Sequence, residues 1–162
     1  MLAPNDTATP IRVYVDTSVY GGVFDRQFAQ ASKNFFEKVG SGRFLIVVSP
    51  VVSDEIRLAP QPVRDLFDRF RGGAEGVAVN TAAVALQAAY MRAGIVGPNW
   101  EADALHVALA TVARCSMIVS WNFKHIVHFQ KIPLYNGVNI SLGHGPIGIY
   151  TPLEVIADEE EY

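Results

Sequence analysis

Residues 101–128 (EADALHVALATVARCSMIVSWNFKHIVH) constrain the fold more than any other part of the 162-residue chain. The first half of this stretch carries apolar residues on nearly every face of a predicted helix, a pattern typical of a buried helix. Asp103 and His106 are the polar exceptions, and they lie one turn apart on the same side. A carboxylate in such a helix costs roughly several kcal/mol unless it is paired, protonated or bound to a metal. Asp103 therefore needs a partner.

Length and composition indicate one globular domain. Half of the residues are hydrophobic and 18% are charged, which excludes extensive disorder, and no run reaches the ~20 apolar residues of a membrane span. The single Cys115 cannot form an internal disulfide, and residues 1–10 lack the pattern of a signal peptide, so we expect a cytoplasmic location. The net charge of −3 opposes capture of nucleic acid by overall charge but allows a local basic patch.

Apolar strands alternate with helices along the chain. Strands are predicted at residues 11–15, 43–48, 76–79, 116–120 and 147–150. Helices are predicted at residues 25–39, 51–59, 62–71, 81–93 and 152–157, in addition to the helix that begins at residue 101. Residues 136–148, rich in Gly and Asn, are predicted to be a loop. This order predicts a single α/β domain at residues 11–157, with a mostly parallel sheet and helices on both faces, a flexible N-terminus at 1–10 and an acidic tail at 158–162.

Polar side chains mark the ends of the predicted strands. Asp16 ends the first strand in a polar turn, Glu55 lies on the helix after the second strand, and Asn122 follows the fourth. In parallel sheets the ligand site forms beyond the carboxyl ends of the strands. We therefore expect Asp16 and Asn122 to meet at that edge.

Four positions in this order resemble the PIN-domain family. The matching segments are VYVDTSVY with Asp16, SPVVSDEI with Glu55, EADALHVALATVA with Asp103, and VSWNFKHI with Asn122. Taken singly the short motifs are weak, but together, in order, they are a specific match that covers most of the chain. The resemblance implies a PIN-like fold and a metal-dependent ribonuclease, and the length is similar to that of VapC-type toxins of bacterial toxin–antitoxin pairs.

The resemblance also implies roles for these residues. Asp16 and Asp103 would hold Mg²⁺ or Mn²⁺, and Glu55 would be a further metal ligand or would hold the attacking water. Such hard ions take carboxylate oxygens and water rather than thiols, in agreement with a chain that has one Cys. Many family members have Asp where this chain has Asn122, so one charge is missing. The sequence therefore favours one metal over two.

Neighbouring residues are expected to support this site. Thr17 and Ser18 are predicted to hydrogen-bond the Asp16 carboxylate and orient it. Lys124 directly follows the Asn122 turn and is the best candidate for phosphate binding. Unpaired RNA bases would stack on aromatic side chains, for which the candidates are Trp121, Trp100 and Phe123.

Each acidic position also has a simpler interpretation. Asp16 can cap the next segment, and Glu55 can be surface charge beside Asp54. Asp103 can be a charge favoured by the helix dipole, and Asn122 can satisfy the backbone of a turn. His106 shares a face with Asp103, but a hydrogen-bonded core histidine is the favoured interpretation.

Two other functions remain open from the sequence. A catalytically weak PIN-fold RNA-binding or interaction module is one, because Asn122 replaces an acid. A small-molecule phosphohydrolase is the other, although no second Asp follows two residues after Asp16 and no GxxxxGK[ST] or GxGxxG motif is present, so a nucleotide cofactor has no support. The family and the apolar composition suggest a homodimer, and an antitoxin partner cannot be inferred from one chain.

Overall fold

The computed structural model describes residues 9–157. The acidic tail predicted at residues 158–162, and residues 1–8 of the N-terminal segment predicted to be flexible, lie outside the described residues.

Five parallel strands form one sheet. They are β1 (Ile11–Val15), β2 (Phe44–Val48), β3 (Glu75–Gly76), β4 (Met117–Val119) and β5 (Gly148–Tyr150). The spatial order is β3-β2-β1-β4-β5, which places β1 at the centre. Val13, Tyr14 and Val15 are each at most 1% exposed. Successive strand residues point to opposite faces, so both faces of the sheet are covered, and the predicted α/β class is confirmed.

Helices connect the strands. They are α1 (Thr17–Gly22), α2 (Ala29–Gly40), α3 (Pro50–Arg57), α4 (Gln61–Arg71), α5 (Thr81–Arg92), α6 (Glu101–Val112), α7 (Ile132–Ser141) and α8 (Pro152–Val155), and a 3₁₀ turn at Pro98–Trp100 precedes α6. Ser49 caps α3 as its side chain accepts a hydrogen bond from the Val52 N–H at 3.3 Å, and Pro50 follows in the first turn. Within residues 9–157, no helix has the length and apolar run needed to cross a bilayer.

Several predictions of local structure were wrong. Residues after Asp16 form helix α1 rather than a turn alone, and the first part of the predicted loop at residues 136–148 belongs to α7, which ends at Ser141. The strand predicted at residues 76–79 is the two-residue β3, and the helix predicted to begin at residue 25 begins at Ala29. The low helix propensity of Gly and Asn in α7 is outweighed by tertiary contacts. The buried Tyr135 ring packs edge-on against Tyr90 at 4.9 Å, and the buried Asn139 is hydrogen-bonded to α5 and α6.

Helix α6 is the central helix of the core, as its sequence predicts. Seven of its residues are buried, including Val107, Ala108 and Leu109. It packs closely along α5 and then leads into β4. Its first turn therefore lies at the carboxyl edge of the sheet, where it presents Asp103.

Candidate active site

Asp16 lies where β1 ends, at the N-cap of α1. Its backbone N–H donates to the Val119 carbonyl at 3.0 Å, which ties the end of β1 to β4. The residue is 5% exposed, and its Oδ2 accepts hydrogen bonds from Ser18 and Ser120, both at 2.7 Å. Two hydroxyls thus fix the orientation of the buried carboxylate. Oδ1 takes part in neither of these two hydrogen bonds.

Of the two hydroxyls predicted to orient Asp16, only Ser18 does so. The contact predicted for Thr17 is not made, since its buried Oγ1 has no hydrogen-bond partner among residues 9–157. Ser120, at the end of β4, takes that place, and its Oγ also accepts from the Asn122 N–H at 2.9 Å. Ser120 is the first residue of the predicted polar turn at residues 120–122, and its position at the strand end was the signal that sequence reasoning missed.

His106 brings two of the predicted acids together. Its Nε2 forms a hydrogen bond with Glu55 Oε1 on α3 and lies 3.7 Å from Asp16 Oδ1. Since a carboxylate only accepts, Nε2 carries a proton. Glu55 is half-exposed, whereas His106 is 1% exposed. His106 is therefore a core histidine, as favoured from the sequence, and also a direct contact of the acidic site, a role that the sequence interpretation underrated.

Behind His106 lies a buried hydroxyl pair. The Tyr14 hydroxyl is 2.7 Å from His106 Nδ1 and 2.7 Å from Ser49 Oγ. Burial strongly raises the pKa of Tyr14, so the phenol stays neutral. Both ring nitrogens of His106 are thereby bonded, and the ring has a fixed orientation between β1 and α3.

The electrostatic surroundings favour a charged His106. Burial by itself lowers the pKa of His106, but the hydrogen bond to Glu55 and the charges of Asp16, Glu55 and Asp103 outweigh it. The net result is a pKa above the usual histidine range. The carboxylates of the site therefore favour the protonated form of the His106 ring.

Asp103 and Asn122 form the other side of the site. Asp103 is partly buried in the first turn of α6, and the Asn122 amide is hydrogen-bonded to its carboxylate. Asn122 Oδ1 accepts from the His125 N–H at 3.0 Å, which fixes the amide in place. Burial raises the pKa of Asp103, the bond from Asn122 opposes this rise, and the charge of Asp16 adds to it. Asp16 and Asp103 are thus within electrostatic range of each other.

The carboxylate oxygens of this site are ligands that a hard divalent ion prefers. Mg²⁺ is commonly held by one or two carboxylates plus water and substrate phosphates, and Asp16 with Asp103 meets that requirement. Among the described residues, however, no three His, Cys, Asp or Glu side chains are placed to share one ion. Glu55 is bonded to His106 instead of being free to join the other two acids. The direct metal-ligand role of Glu55 therefore stays a prediction.

The Trp121 side chain packs against other residues of the protein. Its ring stacks on Phe28 at 4.3 Å, and its Nε1 donates to Ser32 Oγ at 2.9 Å. A Cβ at Gly22 would lie 2.7 Å from the same Nε1, so a glycine is needed there for the indole to pack. These contacts argue against the RNA-stacking role predicted for Trp121.

Lys124 is exposed and stands at the site as predicted. Its Nζ lies 5.2 Å from the centre of the Trp100 ring, a cation–π contact that a long side chain can exchange for a phosphate. Asp54, the acidic neighbour of Glu55, forms a salt bridge on the surface with Arg57. The interpretation of Asp54 as a solvated charge is thereby confirmed.

The fold and the position of the acids define a PIN-like α/β domain. A similar solved structure is that of VapBC2 from Rickettsia felis bound to a DNA fragment from their promoter. The TM-score is 0.52 and the identity is 14%, and the alignment covers 70% of this chain and 90% of that chain. At this identity the likeness shows the fold alone. No protein-family model matches the chain, and a search of curated proteins found no match.

Proposed function

We propose that the chain is a divalent-metal-dependent endoribonuclease that hydrolyses RNA phosphodiester bonds, and that it is the toxin of a type II toxin–antitoxin pair. The observation that carries this proposal is the placement of Asp16 and Asp103 within electrostatic range of each other at the carboxyl edge of a PIN-like sheet, with Glu55 linked to Asp16 through His106. Asp16 is bonded by two hydroxyls, Asp103 by Asn122 and Glu55 by His106. Two carboxylates at this edge of the sheet are suited to a cation and a phosphate.

Each residue of the site has a separate role in the proposed reaction. A bound Mg²⁺ or Mn²⁺ would neutralise phosphate charge and make a water more acidic. Asp16 and Asp103 would hold the ion, with Ser18 and Ser120 keeping Asp16 in position. Glu55 accepts a proton from the attacking water as general base.

His106 has a positioning role in this scheme. It is bonded to Glu55 on one side and to Tyr14 on the other, so it holds the Glu55 carboxylate next to Asp16. The half-exposed Glu55 would otherwise have the rotamer freedom of a surface side chain.

The biological setting is part of the proposal. We infer a cytoplasmic protein that acts on RNA, forms a homodimer and is restrained by a cognate antitoxin protein. The VapBC2 structure, with its similar fold, supports the antitoxin. A short DNA-binding protein encoded in the neighbouring reading frame is the expected partner, and co-purification with its product would test the pairing.

Cleavage of a mixed RNA pool tests the enzyme. The purified protein is incubated with Mn²⁺ or Mg²⁺, beside an EDTA control and the Asp16→Ala variant. We expect metal-dependent cutting that falls by about 100- to 10,000-fold in the variant. Asp54→Ala is the matched control, since Asp54 is an acid of α3 that pairs only with the surface Arg57. Equal cutting by wild type and Asp16→Ala would refute the assignment.

One observation favours a second function, a PIN-fold module that binds RNA without cutting it. Asn122 supplies no charge where many PIN proteins have an acid, and its amide is already bonded to Asp103 and His125. Such a module would bind RNA in the same assay with no cleavage. Asn122→Asp would then be expected to restore metal-dependent cutting.

A further inference from the structure

A surface cleft lies beside the acidic site and is not used by the chemistry described above. We call it the Trp100 cleft; its volume is about 460 Å³, and its walls include Trp100, Asp103, Asn122, Lys124 and His125. A larger cleft of about 620 Å³ lies near β3 and contains none of the three acids of the candidate active site. The Trp100 cleft is the one that opens next to Asp103.

Trp100 supplies a fixed aromatic surface in this cleft. It ends the 3₁₀ turn before α6, and 44% of its surface is exposed. Its ring stacks on His125 with 4.4 Å between the ring centres and 27° between the planes. An exposed indole that is held by a buried ring has little freedom to lose when it binds a ligand. It is therefore suited to stack with a flat group.

His125 supports the indole from behind. It is 6% exposed, and its ring nitrogens are buried with no hydrogen-bond partner within residues 9–157. Burial lowers the pKa of His125, which favours a neutral ring. The buried ring therefore gives Trp100 an aromatic support and leaves the other face of the indole to the cleft.

We propose that the Trp100 cleft binds one unpaired nucleotide of RNA beside the acidic site. The base stacks on the open face of Trp100, and Lys124 moves from the indole to an adjacent phosphate. This inference rests on the proposed function for its substrate class. It also moves base stacking from Trp121, which is packed inside the protein, to an indole that the fold leaves open.

Binding without metal tests the proposal apart from catalysis. Fluorescence anisotropy in EDTA compares a labelled oligoadenylate of about eight nucleotides with an abasic RNA of equal length. We expect the wild-type protein to bind the abasic RNA about 5- to 150-fold more weakly, the range that corresponds to stacking of one base on an aromatic side chain. This comparison needs no variant, so it does not depend on the folding of a mutant.

Variants then identify the aromatic residue. Trp100→Ala is expected to weaken oligoadenylate binding by the same factor and to bind both RNAs alike, whereas Trp100→Phe retains most of the difference. Phe129→Ala is the matched control, because Phe129 is 80% exposed and stacks on His128 but does not line the cleft. Full base dependence in Trp100→Ala would overturn the proposal.

His125→Phe separates the ring from its nitrogens. The aromatic ring behind Trp100 is kept, so the difference in affinity between oligoadenylate and abasic RNA should persist. Loss of that difference in a folded His125→Phe protein would overturn the stacking role of Trp100.

Cleavage assays distinguish the ribonuclease proposal from the proposal that the Trp100 cleft binds a nucleotide. Base-dependent binding that requires Trp100, in a protein that cuts no RNA with Mn²⁺, would support the cleft and refute the ribonuclease. Metal-dependent cleavage by a protein that binds abasic RNA and oligoadenylate equally would support the ribonuclease and overturn the cleft. Absence of any RNA binding would overturn the cleft as well.

Discussion

Two groups of polar side chains in or against the core are built on opposite principles. The acidic edge comprises Asp16, Glu55, Asp103 and His106 at the carboxyl ends of the strands. The neutral cluster comprises Tyr90, Thr111, Asn136 and Asn139, where α5, α6 and α7 meet. Both lie in or against the same core, but only the acidic edge carries formal charges.

In the neutral cluster the side chains satisfy one another. The Tyr90 hydroxyl donates to Asn139 Oδ1, and Asn139 Nδ2 donates to Thr111 Oγ1 at 3.3 Å. The Thr111 hydroxyl donates in turn to the Val107 carbonyl at 2.9 Å. Asn136 bonds both backbone groups of Ile147, at 2.8 and 3.0 Å, and so ties α7 to the segment before β5. A fully paired neutral network of this kind specifies how three helices pack.

At the acidic edge the side chains are hydrogen-bonded, but the carboxylates also repel one another. Burial and the charge of Asp16 both raise the pKa of Asp103, so its ionisation opposes folding. Next to the edge, the Thr17 hydroxyl and the His125 ring have no hydrogen-bond partners among the residues described. The comparison teaches that the helix junction is arranged for stability, whereas the edge retains costly charge at a place where ligands bind.

The largest effect on stability is expected at the neutral cluster, from Asn139→Ala. The change leaves the buried Tyr90 hydroxyl without its acceptor and opens a small cavity, so we expect a loss of about 3 kcal/mol and a melting temperature lower by roughly 6–12 °C. Ribonuclease activity of the folded variant should stay close to that of wild type. Thermal unfolding followed by circular dichroism, beside the cleavage assay, measures both.

Ser141→Ala provides the matched control on the same helix. Ser141 is exposed and bonds only to the Val138 carbonyl, so its loss should change stability by less than about 0.5 kcal/mol. A strong loss of activity with little loss of stability in Asn139→Ala would contradict the division between the two regions.

The same comparison shows what the sequence was able to predict. The acids were found because each follows a strand or interrupts an apolar helix, and the sheet was found because its strands are continuous apolar runs. The neutral cluster was missed because Asn136, Gly137 and Asn139 have the composition of a loop. Their helical state depends on Tyr90 and Thr111, which are distant in sequence.

The side-chain contacts within the acidic edge could not be predicted from the sequence either. His106 lies three residues after Asp103, but nothing in the chain indicated that its ring would turn toward Glu55 and Tyr14. Contacts between side chains on three different elements depend on how those elements pack, and a single sequence does not show that packing. The contact of Thr17 was misjudged for the same reason.

A smaller effect, of opposite sign, is expected from Asp103→Asn. In the absence of metal the change removes a desolvated charge that faces Asp16, so the melting temperature should rise by about 2–4 °C, or on the order of 1 kcal/mol. With Mn²⁺ at about 100 times its dissociation constant, wild type should gain about 2.7 kcal/mol and the variant should gain almost nothing. Differential scanning calorimetry with EDTA or Mn²⁺ measures both changes.

Glu101→Gln is the control for this measurement. Glu101 is an exposed acid in the same first turn of α6, so its loss should leave the Mn²⁺ shift intact. An Asp103→Asn protein that still melts higher with Mn²⁺, to the same extent as wild type, would remove Asp103 from the set of metal ligands.

The smallest effect is a pH dependence carried by His106. Because its pKa is raised in the folded protein, the native state binds the proton more tightly than the unfolded chain does. The resulting stabilisation is complete below the usual histidine pKa of about 6.5 and is lost as pH rises through the higher folded value. In EDTA we expect the wild-type free energy of unfolding to fall more across that interval than that of His106→Phe.

Glu55→Gln sharpens this test, because it keeps a hydrogen-bonding side chain beside His106 but removes the charge that favours the protonated ring. Its pH dependence should lie between those of wild type and His106→Phe. His125, whose pKa is lowered by burial, acts in the opposite direction, but it is common to all three proteins and cancels in the differences. Urea titrations at several pH values give the three curves. Identical curves for wild type and His106→Phe would mean that the edge holds a neutral histidine, and the contrast with the neutral cluster would then rest on the carboxylates alone.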